Sequence, residues 1–168
     1  DLHSFPTRRS SDLLSYVGSI MRSSDAFKVA HIYLTGYTPY PHIKEDSRLP
    51  HIYQKLTRQI AKTALGAEEY LDFSYHQDIK ELILELKSKN YIILALEQAK
   101  DSVMLKDFIP DKTKKYALIL GEEVKGITKD ILDLCDYKLE IPMFGKKESL
   151  NVSVATGIAL YELNQKLI

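Results

Sequence analysis

Residues 91–120 read YIILALEQAKDSVMLKDFIPDKTKKYALIL, and the two apolar runs at its ends, Tyr91–Leu96 and Tyr116–Leu120, decide the fold class. A strand with one wet face alternates apolar and polar side chains. A run that is apolar on both sides belongs to a parallel sheet covered on both faces. Both runs are therefore predicted to be central strands. Just before them, Ile79, Leu82, Ile83 and Leu86 recur at helical spacing, with Lys80, Glu81, Glu85 and Lys87 on the other side. Further upstream the pattern predicts a helix over Val17–Phe27, a strand over Val29–Leu34 ending at Gly36, and a helix around Ile52–Leu65. Downstream it predicts a helical piece over Ile127–Leu134 capped by Thr128, a strand over Tyr137–Ile141, and a last helix from about Leu150 to Leu167. Strands alternating with helices make an α/β domain with a mainly parallel sheet.

With 168 residues, 45% of them hydrophobic, the chain is long enough for one core and short for two, so residues 14–168 are expected to form a single domain. Its 23 basic and 23 acidic residues cancel, which excludes a protein that coats nucleic acid by bulk charge; any RNA site must be a local basic patch. The lone Cys135 and the lack of a long apolar run or secretory leader point to a cytoplasmic protein without a membrane partner. The first thirteen residues, DLHSFPTRRSSDL, follow neither hydrophobic period. Back-translated with one choice of codons, they resemble a common sequencing-adapter oligonucleotide. Residues 1–13 are expected to be a non-native tail, with an N-terminal strand lost beneath it.

Several familiar sites fail on spacing. The seven glycines never form G-x-G-x-x-G, and Gly145-Lys146-Lys147 lacks the rest of a phosphate loop. The five histidines have no zinc-ligand spacing and no cysteine cluster, so no metal is expected. Ser149 lacks the elbow of a hydrolase nucleophile, and Cys135 reads as a small buried filler.

Three segments remain, each where an α/β sheet places ligands, at strand carboxyl ends or a helix start. They are Val17–Ser24 (VGSIMRSS), Leu120–Gly126 (LGEEVKG), and Ile141–Gly145 (IPMFG) running through Ser149-Leu150-Asn151-Val152 into the last helix. Gly121 lets backbone approach a ligand, and two carboxylates follow it. By physics alone these are helix caps or a small-ligand site, with Ser149 the expected cap of the last helix and Asn151 its neighbour.

Together the segments resemble the SPOUT class of knotted methyltransferases, specifically the SpoU-like (TrmH-like) RNA 2′-O-ribose methyltransferases. The resemblance covers nearly all of the chain after residue 14 and rests on the motif order, the phrase IPMFGKKESLNVSVATGIALYE and the segment IAKTALGAE. It implies a mainly parallel α/β sheet with a C-terminal deep trefoil knot, S-adenosyl-L-methionine as cofactor, tRNA or rRNA as substrate and a homodimer. It also implies cofactor contacts at Gly121, Ile141, Met143 and Leu150, largely through backbone. Arg22 matches the family's motif-one arginine, Glu123 its motif-two glutamate, and Ser149 with Asn151 the polar pair of motif three. Two positions depart from the pattern. Tyr16 stands where the family has asparagine, six residues before the arginine, and Glu122 stands where a small residue is common.

Tyr16 leaves a non-catalytic RNA-binding relative of the same fold in view, and a base-directed methyltransferase, as other knotted methyltransferases are, is a further expectation. RNA contact is expected from Arg22 and Lys28, with Arg48, Lys55, Arg58 and Lys62 around the proline-containing loop Tyr37–Pro50. The last helix, with Val154, Ile158, Tyr161 and Leu163, is expected to supply the dimer surface or the core beneath it.

Overall fold

The computed structural model describes residues 10–122 and 125–168. The chain divides into two compact units, Asp1–Ile79 and Lys80–Ile168.

In the first unit, helix α1 (Ser10–Ala26) packs on α2 (Pro50–Ala64), and the short α3 (Ala67–Tyr70) leads into a two-stranded parallel sheet of β1 (Ile32–Thr35) and β2 (Phe73–His76). Leu14, Val17, Met21 and Ser24 recur at three- and four-residue steps along α1 and are all buried, so one helix face enters the core. There they meet Leu34, Ile60, Ala64 and Ala67, with Ile32, Leu56, Phe73 and Tyr75 around the margin. Gly18 lies on the same face. A Cβ built there would meet the Thr63 hydroxyl and the Ile60 carbonyl, with the Ala64 amide at 2.9 Å, so the glycine is what lets the two helices approach.

The elements differ from those expected at three places. Residues 10–13, expected to belong to a foreign tail, lie within α1; residues 1–9 of that tail lie outside the described residues. The first strand begins at Ile32 rather than Val29. Lys28 takes a left-handed φ of 52°, and the Lys28 and Val29 amides bond back to Asp25 and Ser24, so these residues close the helix end. Strand β2 went unread because FSYH is short and lacks Val or Ile, although Phe73 and Tyr75 do face the core.

Loop Tyr37–Leu49 is held by a clasp. Arg48 lies 3.6 Å from the Tyr40 ring centroid, donates to the Asp46 carboxylate at 2.8 and 2.6 Å, and donates to the Tyr40 and Pro41 carbonyls, each at 3.0 Å. The Asp46 side chain is 1% exposed and also accepts from the Ile43 and Arg48 amides. The Arg48 guanidinium holds this carboxyl far below the ordinary carboxylate range. Arg48 is thus committed to folding the loop, and the expectation that it reaches RNA is set aside.

In the second unit, α4 (Ile79–Ser88), β3 (Tyr91–Leu96), β4 (Val103–Met104), a 3₁₀ turn (Leu105–Asp107), β5 (Lys115–Leu120), α5 (Lys129–Leu132), β6 (Tyr137–Glu140) and α6 (Val152–Leu167) follow in order. The sheet order is β4-β6-β3-β5, with every pair parallel. Ile93, Leu94 and Ala95 of β3 are fully buried, as a double-sided apolar run requires. The two-residue β4 carries no readable period. Asp136 ties β3 to the turn before β6, accepting from the Ile93 amide at 2.7 Å while its own amide donates to the Ile93 carbonyl.

Helix α6 turns Thr156, Ala159 and Leu163 inward and leaves Val154, Ile158 and Tyr161 exposed. Its far end is anchored by Lys166, whose ammonium donates to the carbonyls of Leu105, Lys106 and Phe108. Cys135 is half-buried, with its thiol bonded to the Ile131 carbonyl and its pKa pushed up by burial, the character of a filler rather than a nucleophile.

Candidate functional site

Because every strand pair in the second unit is parallel, the carboxyl ends of its strands share one edge of the sheet. Leu96 lies level with Leu120 on one side and Leu139 on the other, so Glu97, Gly121 and Ile141 each open a loop from that edge. This is where an open α/β sheet holds ligands.

The loop after β5 folds back on itself. The Gly126 amide donates to the Glu122 carbonyl at 2.9 Å, the two residues form an isolated bridge, and Gly126 takes a left-handed φ of 64°. A Cβ on Gly121 would come within 2.6 Å of the Gly126 carbonyl carbon and 2.8 Å of the Ile127 amide, so only glycine lets the returning backbone lie this close.

A residue outside every motif holds the turn closed. The Glu97 carboxylate accepts from the Ile127 amide at 2.8 Å and from the Gln98 amide at 3.1 Å, while the Glu97 amide donates to the Leu139 carbonyl at 3.0 Å. A side chain at Gly126 would run into the same carboxylate. Glu97 therefore joins β3, β6 and the loop after β5. The available signal was an acid directly at the end of a buried apolar strand, where a carboxylate needs partners. Glu97→Ala is expected to speed hydrogen exchange at the Ile127 amide by about 10- to 100-fold, the loss of one charge-assisted bond. Glu97→Gln, which keeps an acceptor, is expected to restore most of the protection; equal exchange in all three proteins would remove this role.

On the loop after β6, Ile141 packs against the core of Leu94, Leu105, Leu139 and Leu163, Met143 and Leu150 are half-buried, and Phe144 is 96% exposed. Asn151, not Ser149, caps α6. Its side-chain oxygen accepts from the Ser153 amide at 2.9 Å and the Ser153 hydroxyl at 2.7 Å, and its carbonyl accepts from the Ala155 amide. Ser149 is two residues too early to reach the first turn and is exposed. Thr128 does occupy the N-cap position of α5, but its hydroxyl bonds Asp130 rather than the helix backbone.

The structure thus gathers Gly121, Ile141, Met143, Ser149, Leu150 and Asn151 into the loops and helix start of one unit. Glu123 lies outside the described residues. Arg22 belongs to the first unit, where it is exposed on α1 and has no ion pair among the described residues. Gly18, in the same sequence motif, serves helix packing.

The arrangement suits a particular kind of ligand. Gly121, Ile141, Met143 and Leu150 offer backbone and half-buried apolar surface and no charged side chain, and the tight return at Gly121 leaves backbone where a Cβ would otherwise stand. Surface of this kind can hold a flat ring through main-chain groups.

The chain is similar to known proteins over most of its length. The chain is 31% identical over 148 residues to the tRNA (guanosine(18)-2′-O)-methyltransferase of Aquifex aeolicus (strain VF5), covering 88% of this chain and 62% of the relative. It is 29% identical over 150 residues to the enzyme of the same name from Escherichia coli (strain K12), covering 89% and 58%. The chain therefore spans about 60% of the length of these curated relatives. Among solved structures, the A. aeolicus TrmH/SpoU tRNA modifying enzyme superposes with a TM-score of 0.72 at 27% identity, covering 91% of this chain and 69% of that one. An AdoMet-bound rRNA methyltransferase from Sinorhizobium meliloti shares the fold, with a TM-score of 0.77 at 22% identity over 92% of this chain and 53% of that one. The family model described as SpoU rRNA Methylase matches residues 16–161, a span running from α1 into α6 and containing all three loops of the sheet edge, and on that match the chain belongs to the SpoU rRNA methylase family.

Proposed function

We propose that this chain transfers a methyl group from S-adenosyl-L-methionine to a ribose 2′-hydroxyl of tRNA or rRNA. The observation that carries the reading is the backbone-lined edge formed by the loops after β5 and β6 and the start of α6, in a chain of this family. Gly121, Ile141, Met143 and Leu150 would hold the cofactor, chiefly through main-chain groups with an apolar wall that limits water. When bound, S-adenosyl-L-methionine supplies a methyl already activated by its sulfonium.

What the chain's own residues contribute is positioning. Arg22, exposed and without an ion pair among the described residues, anchors an RNA phosphate by its planar fork and orients the 2′-hydroxyl. A guanidinium is a poor base, so the hydroxyl proton leaves with help from the substrate phosphate. Glu123 and Ser149 complete the ribose side, and Asn151 contributes by fixing the opening turn of α6.

The C-terminal trefoil knot belongs to this proposal; it is supported by β6 lying between the earlier strands β3 and β4. So does the homodimer. Val154, Ile158 and Tyr161 stand at helical spacing and are 51, 40 and 55% exposed, an apolar stripe that a second copy would cover. No helix among the described residues is long and apolar enough to cross a membrane, and a cytoplasmic location is proposed with the RNA substrate. A non-catalytic relative is the second reading, favoured by Tyr16 in place of the family asparagine.

The test is transfer from labelled S-adenosyl-L-methionine to total bacterial tRNA and rRNA, followed by digestion to nucleosides and mass analysis. Label on the sugar is expected. Label on a base would move the reaction to the other knotted chemistry, and cofactor binding without transfer would favour the non-catalytic reading.

A further inference from the structure

Helix α2 carries its positive charge along one face. Helix α2 contains no acidic residue, and His51, Lys55, Arg58 and Lys62 recur at steps of four, three and four, which places them on a single helix face. All four are exposed, and Lys55, Arg58 and Lys62 have no ion pair among the described residues. In a chain of zero net charge this stripe is a local basic patch.

Beside the stripe is an aromatic shelf. The His42 ring stacks on Tyr53, with centroids 4.3 Å apart and planes at 28°. The His42 amide donates to the Thr57 hydroxyl at 2.8 Å, and that hydroxyl donates to the Tyr53 carbonyl at 2.7 Å, so the loop is bonded to the helix where the rings meet. The Arg48–Asp46 clasp sets the loop's path, and the His42 side chain remains 52% exposed. His42, Tyr53, Gln54, Thr57 and Arg58 line an open groove. It combines a stacking surface, an amide able to donate and accept, and a guanidinium, with further cations along the helix.

We propose that this groove binds an unpaired nucleotide of the RNA substrate, with a base stacked on the His42–Tyr53 shelf and flanking phosphates on Arg58, Lys55 and Lys62. Single-stranded RNA is held by this combination of aromatic faces and backbone-tracking cations. An acidic protein would use the charges but leave the shelf idle, and a membrane surface would need apolar side chains to insert. The inference rests on the RNA-directed reading for the kind of nucleic acid, and it adds a contact separate from the cofactor loops.

The experiment measures binding of fluorescently labelled unfractionated tRNA to the full chain across a salt series, with S-adenosyl-L-methionine binding measured by calorimetry on the same proteins. The variant carrying Lys55→Ala, Arg58→Ala and Lys62→Ala is expected to flatten the slope of log K against log salt by about 2, at roughly 0.7 per single-strand phosphate contact. Tyr53→Leu is expected to weaken binding about 5- to 100-fold, whereas Tyr53→Phe, which keeps the stacking face, stays within about two-fold of the parent. Cofactor affinity is expected to be unchanged throughout, and a far-UV circular dichroism melt that matches the parent excludes misfolding as the cause.

Parent-like affinity and slope in these variants would overturn the groove. A parent chain that binds cofactor but no tRNA would also overturn it, leaving the cofactor side of the proposed function standing. Groove-dependent tRNA binding by a chain that neither binds cofactor nor transfers methyl would support the groove and sink the methyltransferase reading instead.

Discussion

Arg22→Ala is expected to lower methyl transfer about 100-fold or more while leaving folding and cofactor binding intact. The magnitude is that of a misplaced reacting group, since loss of an orienting contact that shifts substrate by about 1 Å costs about 100-fold. Arg22 is exposed and has no ion pair among the described residues, so its removal leaves no buried partner unsatisfied. Surface changes of this kind alter stability by about 0.5 kcal/mol or less. Arg22→Lys keeps the charge but not the planar fork, and is expected to recover only part of the rate. Single-turnover transfer beside a thermal melt checks the prediction. Transfer within about three-fold of the parent would take Arg22 out of the proposed chemistry.

The second large effect is on stability. Helix propensity alone says that Gly18→Ala should stabilise α1 by about 1 kcal/mol. The packing says the opposite. The new Cβ would be driven into the Thr63 hydroxyl and into α2 backbone at Ile60 and Ala64, and a helix backbone cannot turn aside as a flexible side chain can. Overpacking costs about 3 kcal/mol at such a site, so packing outweighs propensity. A net loss of about 2 kcal/mol is expected for Ala, and more for Val. Denaturant titration decides the sign, and a stabilised Gly18→Ala protein would show that the helices can move apart freely.

The two cases show what kind of statement each residue allows. Arg22 was named by a motif, and it stands exposed on α1. Gly18 stood four residues earlier in the same motif, and its meaning lies in α2, about forty residues away along the chain. Glu97 is the reverse case. It belongs to no motif, yet it holds the turn at Gly121 through the Ile127 amide. Arg48 looked like a free cation beside a long loop and is in fact spent on Asp46 and two carbonyls. Asn151 took the capping place expected of Ser149, because the helix starts at Val152 and only Asn151 stands directly before it.

The amino-acid order alone specifies the class of fold, the central strands and the two segments that open loops at the edge of the second sheet. Each of these is written in local order: a period of two or 3.6, an unbroken apolar run, or a motif whose residues are near neighbours. The α/β alternation, β3, β5, the body of α6 and the positions of Gly121, Ile141 and Leu150 all followed from it. Only the tertiary structure decided the sheet order, the short strands β2 and β4, the division into two units, the helix contact at Gly18, the tie through Glu97 and the commitment of Arg48. These depend on hydrogen bonds and van der Waals contacts between residues brought together by folding. A contact of that kind leaves no period in the chain, and a carboxylate or guanidinium looks the same in sequence whether it faces water or closes a loop.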